Sequence, residues 1–354
     1  MKVLILGGTG AIGANLVRIL SDNNVQTLVT SRSHYDNHHT ISYVCGNAKD
    51  DAFLKKLCTQ KWDAIVDFMS YKTNEFSARL DLLLSCTKQY VYISSSRVYA
   101  DKEHPIKESS QRLLDVISDA AYLATDEYAL TKARQEDLLI NSVSKNYTII
   151  RPYITYDKNR LQLGVLEKEE WLFRALHGHS VVFPKEMMEI TTTMTSGYDV
   201  ASGIFHLIGK QSAIGEIFHI TAEHSNTWSE IIDIYKAGFK EATGKDLKIQ
   251  LVSIEDFLSC REENLVWQIK YDRLFNRSFD VTKESLHVNP QQFATTQTSL
   301  KRCLVDFING GASFKHVNIK YEAIKDKLTG ERINIIPFLT LKQKFIYLIY
   351  RYIL

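Results

Sequence analysis

The chain has 354 residues, 45% hydrophobic and 24% charged, with a formal net charge of +2 at pH 7. That is ample apolar material for one large domain, or for a nucleotide domain with a smaller second lobe. So mild a charge, spread in both signs, argues against a nucleic-acid partner. Five cysteines (Cys45, Cys58, Cys86, Cys260, Cys303) are odd in number and lack a C-x-x-C spacing. They argue for a reducing compartment and against a disulfide framework or a structural zinc site. The chain enters an apolar strand at once, leaving no room for a signal peptide, and no run reaches the length of a membrane span. A cytoplasmic protein without a metal site is expected.

Lys2 to Leu6 is a short apolar run, as a buried parallel strand should be. Gly7, Gly10 and Gly13 follow it, and apolar residues then recur at helical intervals through Ile12, Leu16, Val17 and Leu20. A strand, a glycine turn and a helix start make a seat for a dinucleotide pyrophosphate. Gly7, Thr9, Gly10, Ala11, Ile12 and Gly13 are the expected contacts. A second strand, Gln26 to Thr30, ends in Ser31 and Arg32, at the position that meets the adenosine ribose. Serine and arginine suit a 2′-phosphate, so NADP is expected there, with NAD as the alternative. Ile41 to Val44 is a third strand, followed by a helix running towards Cys58. Asp50 or Asp51 would cap that helix, and Asp50 is also placed near the adenine.

Ala64 to Phe68 is the fourth strand, and Phe68, Met69 and Ser70 lie at its cofactor end. A helix spans Phe76 to Cys86, and a fifth strand, Tyr90 to Ser94, runs into a serine cluster. A helix is expected over Thr125 to Ser142, then a sixth strand from Tyr147 to Arg151, closed by Pro152 beside the cofactor. Strands and helices alternate consistently to this point, which predicts a parallel sheet. Further on, helices are expected over Leu161–Leu176, from a capping Asp199 to Ile208, and over Trp228–Lys240 and Ser299–Asn309. Strands are expected over Ser180–Phe183, Glu216–Thr221 and Lys248–Ser253, with a loop over Thr191–Thr195; residues 270 to 285 have no clear assignment. The apolar tail from Pro337 to Leu354 reads as a helix. It either docks on the body or a second subunit, or lies on a membrane surface through Lys342, Lys344 and Arg351.

Tyr128 and Lys132 stand one helical turn apart and so share a face. A phenol titrates near 10, and a nearby ammonium favours its phenolate, which suits the pair to acid/base work. The lysine can also reach a nicotinamide ribose. A serine from Ser94, Ser95 and Ser96 would hold the substrate oxygen while hydride leaves the adjacent carbon.

These segments resemble the NAD-dependent epimerase/dehydratase family of extended short-chain dehydrogenases/reductases. The matches are GGTGAIG at 7–13, SSSRVY at 94–99, YALTK at 128–132, RPYITYD at 151–157 and GEIFHIT at 215–221. The resemblance implies an α/β fold: a Rossmann-type doubly wound parallel sheet over residues 1–157, with contributions from about 190–225. A smaller C-terminal substrate lobe over 158–330 and the apolar helix 337–354 would complete it. It also implies Tyr128 as catalytic acid/base, Lys132 as its partner and Ser95 as the catalytic hydroxyl. The substrate would be a nucleotide-diphosphate sugar handled through a keto form, and the enzyme a homodimer. Ser96 and Arg97 stand where the family's dehydratases carry Asp-Glu, which disfavours dehydration. The expected activity is epimerisation. The alternatives are an NADPH-dependent keto-sugar reductase and a non-catalytic dinucleotide-binding protein.

Overall fold

The computed structural model describes residues 1–262, 265–332 and 340–353. In chain order the first elements are β1 (Lys2–Leu6), α1 (Ala11–Asp22), β2 (Gln26–Ser31), β3 (Ile41–Cys45), α2 (Asp51–Leu57) and β4 (Trp62–Asp67). Next come α3 (Thr73–Ser85), β5 (Thr87–Ile93), α4 (Leu113–Val116), α5 (Ala120–Leu123), α6 (Tyr128–Ile140) and β6 (Tyr147–Pro152). They are followed by β7 (Ile154–Tyr156), α7 (Lys168–Leu176), β8 (Val181–Pro184), β9 (Thr191–Thr192), β10 (Met194–Ser196) and α8 (Gly197–Leu207). The remainder is β11 (Glu216–Ile220), β12 (Asn226–Thr227), α9 (Trp228–Thr243), β13 (Ile249–Val252), α10 (Ile254–Ser259), α11 (Val266–Gln268), α12 (Thr296–Asn309), α13 (Ile319–Thr329) and α14 (Leu341–Tyr352).

Two compact units emerge. The first comprises Met1–Thr155, Thr193–His224 and Arg277–Ala294. Its sheet is parallel throughout, in the order β11-β6-β5-β4-β1-β2-β3. The strand order reverses between β1 and β4, and a doubly wound sheet opens its ligand crevice at such a switch point. Both faces are covered because the strands are apolar on both sides. Val3 and Ile5 point into one core with Leu16, Val17, Ile204 and Phe218, while Leu4 and Leu6 point into another with Leu54, Phe76, Tyr90 and Tyr92.

The second unit comprises Tyr156–Thr192, Ser225–Asn276 and Thr295–Leu354. Here β8 and β13 pair in parallel, β9 and β12 antiparallel. Helices α9 and α12 pack together. A Cβ at Gly238 would come within 3.1 Å of Lys301 and 3.2 Å of Leu304, so glycine permits that approach. A buried charge cluster ties α7 to α13: Arg174 meets Glu322 at 2.9 Å and Asp326 at 2.8 Å. Tyr347 on α14 donates to the same Asp326 at 2.5 Å.

Several local expectations change. The helix foreseen over Leu161–Leu176 starts only at Lys168. Gly164 adopts φ +62° and Leu163 pairs with Leu166 across a turn, which interrupts the helical path. The segment Thr191–Thr195 is not a loop, since Thr191 and Thr192 pair with Thr227 and Asn226. Ser196, not Asp199, caps α8, accepting the Asp199 N–H at 3.2 Å. Helix α13 has no counterpart in the sequence reading. Residues 270–285 divide between a helical turn that ends at Arg273 and a stretch in the first unit, where Phe279 bridges Ile106. The cysteines are not all scattered: the thiols of Cys58 and Cys86 lie 2.7 Å apart. Of the expected C-terminal helix, residues 337–339 and Leu354 lie outside the described residues.

Candidate active site

The glycine turn leaves β1 at the switch point. Gly7 has φ +78°, and its N–H donates to the Thr30 hydroxyl at 3.1 Å, which pins the turn to β2. A Cβ on Gly13 would lie 2.8 Å from the Gly8 Cα, so this glycine is demanded by the chain itself. Gly10 differs: a Cβ there would meet nothing within 4 Å. Gly10 is also the cap residue of α1 and offers no side-chain acceptor, so the amides of Ala11, Ile12 and Gly13 keep no intrahelical partner. Amides without an intrahelical partner beside an open glycine fit the approach of a pyrophosphate.

Beside the turn lies a cavity of about 370 Å³. It is lined by Gly7 and Thr9, by Thr30, Ser31 and Arg32 at the end of β2, by residues 46–49 after β3, and by Phe68, Met69 and Ser70 after β4. Thr30 and residues 46–49 line it without any local spacing that marks them as ligand contacts. Asp50 is outside the lining, and its carboxylate accepts the Phe53 N–H at 2.8 Å, capping α2. Pro152 is the buried last residue of β6.

Tyr128 is the first residue of α6 rather than lying inside it, because Glu127 caps the helix and accepts the Ala129 N–H at 2.7 Å. Tyr128 is 42% exposed. Two cations approach its ring, the Arg97 guanidinium at 5.2 Å and the Lys132 ammonium at 5.8 Å from the centroid. Arg97 is held by Glu127 at 2.5 Å. Lys132 is buried, donates to the Ile93 carbonyl at 2.7 Å and stands 4.6 Å over the Tyr92 ring. Burial pulls its ammonium down to about 8, against the pull of the Asp67 and Glu136 carboxylates.

The three serines after β5 are not equivalent. Ser94 donates to Glu136 at 2.6 Å and Ser96 to the Arg151 carbonyl at 2.7 Å. Ser95 only accepts, from the Arg97 N–H at 3.2 Å, and its own O–H donates to no partner among the described residues. That leaves one hydroxyl proton of the cluster for a ligand.

Behind these groups lies a network that the sequence reading did not identify. Arg151 grips Glu136 through two bonds of 2.8 and 2.7 Å, and Arg112 approaches the same carboxylate at 3.4 Å. Glu136 stands one turn after Lys132, and this i, i+4 spacing was its one signal in the sequence. Asp67 accepts the Tyr90 hydroxyl at 2.7 Å and the Met69 N–H at 2.8 Å, and burial pushes its carboxyl up.

Solved structures of the same fold are numerous. Epimerase Mth375 from Methanothermobacter thermautotrophicus superposes with a TM-score of 0.68 at 17% identity, covering 88% of this chain and 95% of that one. UDP-glucuronic acid 4-epimerase from Bacillus cereus, in complex with NAD, gives 0.64 at 15% identity, covering 89% of this chain and 100% of that one. Other neighbours, including Bordetella bronchiseptica WbmH, also hold NAD.

The NAD named in these neighbours overturns the NADP expectation based on Ser31 and Arg32, and no phosphate clamp is preformed around Arg32. The Ser31 hydroxyl accepts the Ser33 N–H at 3.1 Å, closing its own turn. Arg32 is exposed, and no side-chain partner among the described residues fixes its guanidinium for a phosphate. Lys49, the other cation in the lining, faces Glu75 at 3.3 Å.

Among curated proteins, the chloroplast stem-loop binding protein of 41 kDa b from Arabidopsis thaliana is 27% identical over 240 residues. That match covers 63% of this chain and 59% of the relative, so it spans well under two thirds of that protein. The model of the NAD dependent epimerase/dehydratase family matches residues 3–220, more than half the chain. The protein belongs to that family.

Proposed function

We propose that this protein is an NAD-dependent epimerase of a nucleotide-activated sugar, working through a transient keto form. The observation that carries the reading is the Lys132 ammonium 5.8 Å from the Tyr128 ring, with Ser95 and its undonated hydroxyl at the end of β5, in the unit that also contains the open glycine turn. The amides of α1 would seat the pyrophosphate, and the cavity residues from Ser31 to Arg32 and from Gly46 to Lys49 would receive the adenosine half. NAD would supply a reversible hydride acceptor at the sugar carbon.

Tyr128, as phenolate, would remove the proton of the sugar hydroxyl as the adjacent C–H is oxidised, and return it when the ketone is reduced from the opposite face. Lys132 would stabilise that phenolate and reach the nicotinamide ribose. Ser95 would donate its O–H to the sugar oxygen in both directions. No net oxidation results. Dehydration finds no support in the positions after Ser95: Ser96 is committed to the Arg151 carbonyl and Arg97 to Glu127.

Incubating the full chain with NAD and a panel of nucleoside-diphosphate sugars, then resolving epimers by anion-exchange chromatography, tests this. The expected product keeps a deuterium label placed on the inverted carbon, and Tyr128→Phe lowers the rate by about 10²–10⁴. Undiminished turnover in that variant would overturn the reading. A second reading is a dinucleotide-binding protein without turnover; the Arabidopsis relative is named for stem-loop binding rather than for a reaction. That reading predicts NAD binding with no product from any sugar nucleotide.

A further inference from the structure

Helix α14 shows two unlike faces. Its inner face is fixed to the second unit: Tyr347 is buried on Asp326, and Arg351 donates to the Glu331 carbonyl at 3.3 Å. Its start is firm, since Thr340 and Gln343 form a reciprocal capping box. The outer face carries Leu341, Phe345, Leu348 and Tyr352, exposed by 86%, 66%, 50% and 49%. At about 100° per residue these four fall within a stripe roughly 60° wide. The same geometry puts Lys342 on one flank of the stripe and Lys344 on the other, while Arg351 turns towards the inner face, where the Glu331 carbonyl holds it. Residues 340–353 contain no carboxylate.

We propose that this face of α14 lies in the plane of a bilayer surface bearing anionic phospholipid, independently of the reaction catalysed. An apolar stripe flanked by a lysine on each side matches the boundary between acyl chains and headgroups: the stripe enters the hydrocarbon edge and Lys342 and Lys344 meet phosphates. Tyr352 has the Arg332 and Arg351 guanidiniums over its ring at 5.4 and 5.1 Å, an amphipathic group suited to headgroup level. The helix has 12 residues, about 18 Å at 1.5 Å per residue, and so lies on a bilayer rather than through it. Among the described residues no helix is long and apolar enough to cross. A second copy of the chain is a poorer occupant. Stripe against stripe would bring the flanking lysines of the two copies, Lys342 and Lys344, together with no carboxylate on the helix to pair them.

Vesicle flotation of the full chain tests this, comparing phosphatidylcholine alone with an equal mixture of phosphatidylcholine and phosphatidylglycerol. The expected result is flotation with the mixed vesicles only, weakening as salt is raised. Phe345→Glu and Leu348→Glu should each lower the bound fraction by about tenfold or more, with melting temperature and NAD affinity unchanged. Failure of the unmodified chain to float, or equal binding by the glutamate variants, overturns the proposal. A dimer in sedimentation that Phe345→Glu converts to monomer also overturns it and assigns the face to a second copy.

Discussion

Lys132 couples the chemistry of the site to the stability of the fold. Burial lowers its ammonium to about 8, whereas in the unfolded chain it titrates near its ordinary value of about 10.4. Between those values the unfolded chain binds more protons, so stability rises with pH across that window, and the full penalty of about 3 kcal/mol stands below pH 8. Lys132→Met should abolish this slope in urea titrations between pH 8 and 10 while also lowering turnover. The slope is the cleaner readout, because the variant leaves the Ile93 carbonyl without its donor. The glycines separate in the same way. Gly10→Ala should leave the melting temperature nearly unchanged and weaken NAD binding in calorimetry, since its Cβ would meet no protein atom within 4 Å and would stand where the proposed pyrophosphate sits. Gly13→Ala should destabilise the unbound protein, because its Cβ would strike Gly8. Cys58 gives a third test. Its thiol is held below its ordinary value chiefly because it accepts the S–H of Cys86. Cys86→Ala should slow alkylation of Cys58 by iodoacetamide several-fold.

Helix α6 is aimed from behind. It carries Tyr128 and Lys132 on one side, and its Glu136 is bonded to Arg151 of β6 and to Ser94 beyond β5. The Arg-Pro pair read as a family motif therefore has a physical task, which is to tie the helix to two strands through a buried carboxylate. Removing one partner strands the other charge. Glu136→Ala should cost about 3–5 kcal/mol in denaturant unfolding, whereas trimming exposed pairs such as Lys236 with Asp233 should cost under about 1 kcal/mol. The start of α6 carries the same lesson. Periodicity places it at Thr125, but Glu127 as the cap makes Tyr128 the first helical residue. Pattern alone does not choose between neighbouring capping groups. The choice falls to whichever side chain the rest of the fold orients, as with Ser196 in place of Asp199 at α8.

At the scale of the molecule, the sheet-bearing unit is not a contiguous segment. Strand β11 completes the sheet beside β6, and α8 packs on α1, adding Val200, Ile204 and Leu207 to the core shared with Leu16 and Val17. A fragment of residues 1–157 would expose that core and leave β6 as an unpaired edge. It should bind a hydrophobic dye and lack cooperative unfolding, unlike the full chain. The sequence alone determined the parallel sheet, the strand–glycine–helix turn, a helix opening at Asp50 or Asp51 and the shared face of Tyr128 and Lys132, because strand alternation, glycine spacing and helical period act over a few neighbouring residues. Only the tertiary structure decided which serine keeps a free hydroxyl proton, that Arg32 lacks a fixed clamp, that Cys58 meets Cys86, and that α14 turns Phe345 and Leu348 outward. Each of these depends on partners brought from distant parts of the chain, and local spacing carries no record of them.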